Sequence, residues 1–146
     1  MSHDPYTSFE RAAQDTPGWL HEIGREMNHP SPQVAYHALR GVLAALRDRL
    51  PVEEAHHLAA QLPVLIRGIY FEGYRPAGKP DKLDREAFLA RVAEALDAGG
   101  GASPEAATRA VFRVLGAHLG DGALAHTMAV LPEALRDLSP HPSFVL

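Results

Sequence analysis

The chain contains no cysteine. That excludes disulfide bridges, thiolate zinc sites and a cysteine nucleophile, and it fits a reducing compartment. It also lacks any apolar run near the ~20 residues that a membrane-spanning helix requires, so no membrane span is expected. The first residues, Met1-Ser2-His3-Asp4-Pro5, have neither the basic nor the apolar stretch of a secretory signal. The cytoplasm is therefore the expected location. A large excess of basic charge is missing as well. Fourteen basic and 18 acidic residues leave a formal net charge of −4, so generic binding to nucleic acid or to an anionic membrane surface is not expected.

Catalytic signatures are equally scarce. Gly99-Gly100-Gly101 lacks the lysine and Ser/Thr of a phosphate-binding loop. Ser31 and Ser103 each precede a proline, which suits a helix cap better than a nucleophile. No cofactor is expected, and the leaning is away from an enzyme. Nothing alternates with period two over a useful length, so no sheet is expected.

What the chain does have is a repeat. Val42-Leu43-Ala44-Ala45-Leu46 with Leu62-Pro63 recurs, without a gap, as Val111-Phe112-Arg113-Val114-Leu115 with Leu131-Pro132, 69 residues later. The register extends upstream through Trp19/Phe88, Ile23/Val92 and Met27/Leu96, and downstream to Arg67/Arg136. Its apolar positions step by three and four, the spacing of an amphipathic helix. The reading is all-α: a helical bundle of two tandem copies of a three-helix unit with pseudo-two-fold symmetry. The chain of 146 residues forms one domain. Copy 1 spans about residues 19–69, a connection follows at 70–83, copy 2 spans about 84–138, and a tail occupies 139–146.

Punctuation supports this division. Asp4-Pro5, Thr16-Pro17, Ser31-Pro32 and Ser103-Pro104 each offer a cap followed by proline at the first helical position. Thr16-Pro17-Gly18 is expected to separate a short first helix from the next. Asp81 or Asp84 is expected to cap the first helix of copy 2. Pro63 and Pro132 are expected to break or kink their helices, leaving the carbonyls of Ala59 and Met128 without their normal donors.

Leu39-Arg40-x-Val42-Leu43-x-x-Leu46-x-x-Arg49-Leu50, Ala59-Ala60-Gln61-Leu62-Pro63 and Ile69-Tyr70-Phe71-Glu72-Gly73-Tyr74 resemble a bacterial family filed as domain of unknown function 2267. The resemblance covers about residues 8–138. It implies an all-helical, often two-copy protein, and it implies no reaction. The second copy departs from the pattern, with Val130 at the place of Gln61 and Gly122 at that of Glu53.

Three sets of residues invite a functional reading. Glu53 and His57 lie four apart on one helix, with His56 adjacent, and His126 repeats His57. Together they are weak candidates for metal ligands; solvated helix faces explain the same spacing. The repeated Arg40/Arg109 and Arg67/Arg136 admit an anion site, or arginines that lie along the helix and pair with carboxylates. In the connection, Tyr70, Phe71, Tyr74 and Arg75 are the candidate partner-binding residues, because aromatics and arginine anchor interfaces. The same aromatics could instead pin the connection to the bundle. The first functional reading is thus a non-enzymatic interaction or scaffold module binding a partner protein or itself as a homo-oligomer. The alternative is a ligand- or metal-binding sensor, or a metal-dependent enzyme, using histidines between the copies.

Overall fold

The computed structural model describes residues 4–97 and 102–139. The glycine turn expected at 99–101 and the tail from 140 onward lie outside the described residues. Among these there are eight helices and no strand, so the protein is all-α. They are α1 (Pro5–Met27), α2 (Pro32–Arg49), α3 (Val52–Ala59), α4 (Val64–Phe71), α5 (Arg85–Asp97), α6 (Pro104–Leu119), α7 (Asp121–Ala129) and α8 (Glu133–Arg136). None of the described helices is long and apolar enough to cross a membrane.

α2 is the central element, packed on α1, α4, α5 and α6. Its stripe explains why. Ala35, Ala38, Leu39, Val42, Leu43, Leu46 and Leu50 are all buried, and the stripe is broad enough to face several neighbours. α5 comes closest. A Cβ built on Gly41 would lie 2.7 Å from the Cβ of Ala95, so glycine at 41 allows that approach. The core also takes Trp19 and Ile23 from α1, Phe88 and Val92 from α5, and Val111, Phe112 and Leu115 from α6. Burial matches at many positions 69 apart: Leu43/Phe112, Leu46/Leu115, Ala59/Met128, Leu62/Leu131 and Ile66/Leu135 are buried in pairs.

Several helix ends follow the expected caps. The side chains of Ser31 and Ser103 accept from the amides of Val34 and Ala106. Asp84 accepts from the amide of Ala87 at 2.8 Å, which decides for Asp84 over Asp81.

The structure corrects two boundaries. The break expected at 16–18 does not occur, and α1 runs straight through Pro17. Pro17 leaves the carbonyl of Ala13 without its helical donor, but Ala13 is exposed and water can serve it. Thr16 meanwhile donates its hydroxyl to the carbonyl of Ala12 at 2.8 Å. The connection, expected from residue 70, begins at Glu72, because Tyr70 and Phe71 complete the last turn of α4.

Both Leu-Pro steps do interrupt helix: α3 ends before Pro63 and α7 before Pro132. The carbonyls expected to lack donors are served by tight turns, Ala59 by the amide of Leu62 and Met128 by that of Leu131, both at 3.0 Å. Arg67 adds its Nε to the Ala59 carbonyl at 3.0 Å and its Nη2 to that of Leu62 at 2.9 Å. Arg136 donates Nε to the carbonyl of Leu131 at 3.0 Å. Arg67 and Arg136 thus turn these donors onto backbone carbonyls. They close the carbonyl ends of broken helices.

Candidate functional site: the connection and its seat

The last turn of α2 carries Arg47-Asp48-Arg49, three consecutive charged residues. Each holds part of the connection. Arg47 is only 7% exposed. Its Nη1 donates to the carbonyls of Tyr70 at 2.8 Å and Glu72 at 2.6 Å. Those are carbonyls at the C-terminal end of α4, where the helix has no donors of its own and the dipole favours a cation. The backbone carbonyl of Asp48 accepts from the amide of Asp81 at 2.7 Å. Arg49 donates Nε to the carbonyl of Leu83 at 3.2 Å. The connection is therefore fastened at its start and at two points near its end.

Side-chain charges reinforce the seat. The carboxylate of Asp48 pairs with Arg47 at 3.1 Å and with Arg91 at 3.1 Å, and lies 3.9 Å from Lys79. Asp81 pairs with Arg91 at 3.0 Å and Lys79 at 3.3 Å. Burial alone would raise the Asp81 carboxyl, but the hydrogen bonds from Arg91 and Lys79 outweigh it and hold it below the usual carboxylate range. Beside this cluster, α2, α4 and α5 enclose a groove of about 380 Å³. Across its mouth Arg40 pairs with Glu72 at 2.6 Å. That bond, with help from the Tyr36 hydroxyl, raises the Arg40 guanidinium above its ordinary range.

An aromatic ledge lies on the other side. His56 sits 5.0 Å from Phe71 and 6.0 Å from Tyr74, ring to ring, and Phe71 lies 5.5 Å from Tyr74. The guanidinium of Arg47 stands 5.5 Å from the Tyr74 ring centre. His56 Nδ1 lies 2.9 Å from the carbonyl of Val52, which can only accept, so Nδ1 donates. Phe71 and Tyr74 are half-buried, and Arg75 is exposed.

Tyr70 is corrected as a partner-binding residue. It is fully buried, and its hydroxyl donates to the carbonyl of Ala55 at 2.9 Å, so it has no surface to offer. Burial pushes that hydroxyl's pKa well up, as it does, less strongly, for Tyr74. The Tyr74 hydroxyl is hidden from solvent and has no hydrogen-bond partner among the described residues.

The histidine set divides. His57 and His126 do meet, with ring centres 5.1 Å apart, where α3 faces α7. His126 Nε2 lies 2.9 Å from Glu54, not Glu53. His56 points elsewhere because neighbouring helical residues are turned about 100° from each other, and it joins the ledge. Glu53, His56, His57 and His126 therefore do not converge, and among the described residues no group of three or more His, Cys, Asp or Glu is placed to hold a metal ion. Arg40 and Arg109 both pair with carboxylates, Arg109 with Glu105 at 3.1 Å.

Sequence reasoning missed Arg47, Asp48 and Arg91. A signal for Arg47 existed: an arginine on the inward edge of an otherwise apolar stripe, in the last turn of a helix, must find acceptors when buried.

A family model described as "Uncharacterized conserved protein (DUF2267)" matches residues 16–138. No curated protein matches the chain.

Proposed function

The chain belongs to the DUF2267 family, and from that premise we propose that it is a non-enzymatic helical interaction module, one domain of two tandem copies of a helical unit, that binds a partner protein at the connection. The duplication reading draws support from the buried pairs 69 residues apart and from Arg67 and Arg136, which cap equivalent broken helices. Superposing residues 19–69 on 88–138 in an experimental structure tests it; dissimilar helix paths would refute it.

One observation carries the binding reading: Arg47 fixes the backbone on which Phe71, Tyr74 and Arg75 stand. A fixed ledge of half-buried aromatics with an exposed arginine at its rim can bind with little ordering cost, and Tyr and Arg are favoured anchors. The test uses the full chain as bait, with Arg75→Glu and Phe71→Ala variants. A partner captured in stoichiometric amount by the wild type should be lost with Arg75→Glu, whose melting temperature stays unchanged. Capture retained by both variants, or lost only where the fold is weakened, would refute the reading.

The alternative, a metal- or ligand-responsive sensor, has less support: His57 meets His126 ring to ring and Glu54 bonds His126, but among the described residues no three such groups are placed to hold a metal ion. Elemental analysis of untagged protein tests it: about one zinc per chain, lost in His57→Ala, would place this reading first.

A further inference from the structure

One flank of α1 carries a hollow beside the turn into α2. Pro17, Leu20, His21, Gly24 and Arg25 step by three and four, so a single face of the helix presents them all. The turn rises next to that face, stiffened by Pro30 and Pro32. Between helix and turn the hollow measures about 580 Å³ and opens to solvent. That falls within the roughly 300–1,000 Å³ of small-molecule sites. Gly24, buried, lies at its base. A Cβ there would stand 3.1 Å from the carbonyl oxygen of His29, so glycine lets the turn fold close against the helix.

Charge is segregated around this part of α1. No carboxylate lines the hollow. The acids of the same stretch lie on the other side of the helix and are engaged by α6, Glu22 by His118 at 3.1 Å and Glu26 by Arg113 at 3.0 Å. The basic groups are left at the hollow. His21 and Arg25, one turn apart, are exposed, and among the described residues neither side chain has an ionic or hydrogen-bonding partner. His29 is half-buried and held in place, its Nδ1 accepting from the amide of Ser31 at 3.2 Å. An amide can only donate, so Nδ1 is unprotonated and Nε2 carries the ring's proton. That Nε2 donor meets no acceptor among the described residues. A cation in the last turn of α1 suits the helix dipole, which accounts for Arg25 alone. It explains neither the oriented imidazole nor the apolar hollow between them.

We propose that this hollow binds a small monocarboxylic acid with an apolar body. Arg25 takes the carboxylate, with His21 and the Nε2 of His29 as further donors, and the body lies on Leu20 and the proline rings. Charge selects this ligand. Arg25 is the one lining residue with a permanent charge, so the site offers a single positive charge. Its planar fork matches the two oxygens of a carboxylate. A phosphate dianion would leave one negative charge unmatched, and a hydrocarbon alone would leave the donors unused. None of the lining residues belongs to the connection or to the ledge, so the proposal stands apart from partner binding there.

An NMR titration of the isotopically labelled full chain tests this with four probes. Phenylacetate and hexanoate carry both charge and body, 2-phenylethanol carries the body alone, and inorganic phosphate carries charge alone. Both acids should shift the amide signals of residues 20–31 saturably at millimolar concentration. The alcohol and phosphate should each bind at least about tenfold more weakly, since each lacks half of what the site recognises. Arg25→Gln should weaken both acids by about tenfold with an unchanged melting transition, because the Arg25 side chain holds no other residue. Arg11→Gln, which removes a cation of the same helix outside the hollow, should leave the affinity unchanged. Absence of saturable shifts with either acid would overturn the proposal. So would alcohol or phosphate binding as tightly as the acids, Arg25→Gln binding them as tightly as the wild type, or an equal loss in Arg11→Gln.

Discussion

Replacing Arg47 by methionine removes the fastening of the connection while keeping most of the side-chain volume. Two carbonyls lose their donor, those of Tyr70 and Glu72. Hydrogen bonds from a charged donor contribute about 1.5–3 kcal/mol each, and breaking a buried charged network costs about 3–5 kcal/mol in all. Asp48 moderates the loss, because Arg91 remains 3.1 Å away and its carboxylate is not left alone. A cost of about 3–4 kcal/mol follows. For a domain of this size each kcal/mol lowers the melting temperature by about 2–4 °C, so a fall of about 10 °C is expected. Thermal unfolding followed by circular dichroism measures it. Hydrogen exchange locates it: the amide of Asp81, bonded to Asp48, should exchange much faster in the variant. Arg47→Lys should recover only part of the stability, since an ammonium lacks the planar fork. A loss under about 1 kcal/mol, with exchange in the connection unchanged, would refute the claim that Arg47 seats the connection.

Tyr74→Phe should be neutral or stabilising in a denaturant titration, because it removes a buried hydroxyl that has no partner. Tyr74→Ala should cost about 1–3 kcal/mol by loss of packing; if both variants cost the same, the hydroxyl is bonded after all. Gly41→Ala should destabilise by about 1–3 kcal/mol, since its methyl would meet the Cβ of Ala95 at 2.7 Å; a neutral result would mean α2 and α5 separate easily. Asp81, held below the usual carboxylate range by Arg91 and Lys79, contributes stability that is present above its unfolded pKa of about 3.9. That contribution is lost as pH falls through the lower folded value. Melting temperatures taken from about pH 7 to pH 2 should fall at the acid end less steeply in Asp81→Asn than in the wild type, and an identical slope would refute the pairing.

The apolar core was legible because its signal is redundant. Leu39, Val42, Leu43 and Leu46 each confirm the same helical face, and the second copy repeats it. Caps were legible for a related reason, since Ser31-Pro32 and Ser103-Pro104 act on residues two or three places away. Pro17 misled because a local rule lacked its context. On an exposed helix, water can supply the partner for a carbonyl that a buried helix would leave empty. The connection's start misled in the opposite sense. Gly68 and Gly73 flank Tyr70, yet burial of the Tyr70 ring and its bond to Ala55 hold that turn helical. Arg47's partners lie 23 and 25 residues away, and no periodicity in a single chain reports such a distance.

The positions that seat the connection are the ones the repeat does not share. At the offset that pairs Leu46 with Leu115, residues Arg47, Asp48 and Arg49 fall opposite Gly116, Ala117 and His118. The first three fasten backbone that follows copy 1. The second three cannot: Gly116 lies where a Cβ would come within 3.0 Å of Leu124, and His118 turns instead to Trp19 and Glu22 of α1. Shared positions therefore build the core, and unshared ones tie it to two different segments, Arg47, Asp48 and Arg49 to the connection and His118 to α1. Exposed or half-buried aromatics stand at both places, Phe71 and Tyr74 where α4 passes into the connection, Tyr6 and Phe9 on the first turns of α1. What distinguishes the two stretches of sequence lies where their residues differ, at Arg47, Asp48 and Arg49 against Gly116, Ala117 and His118.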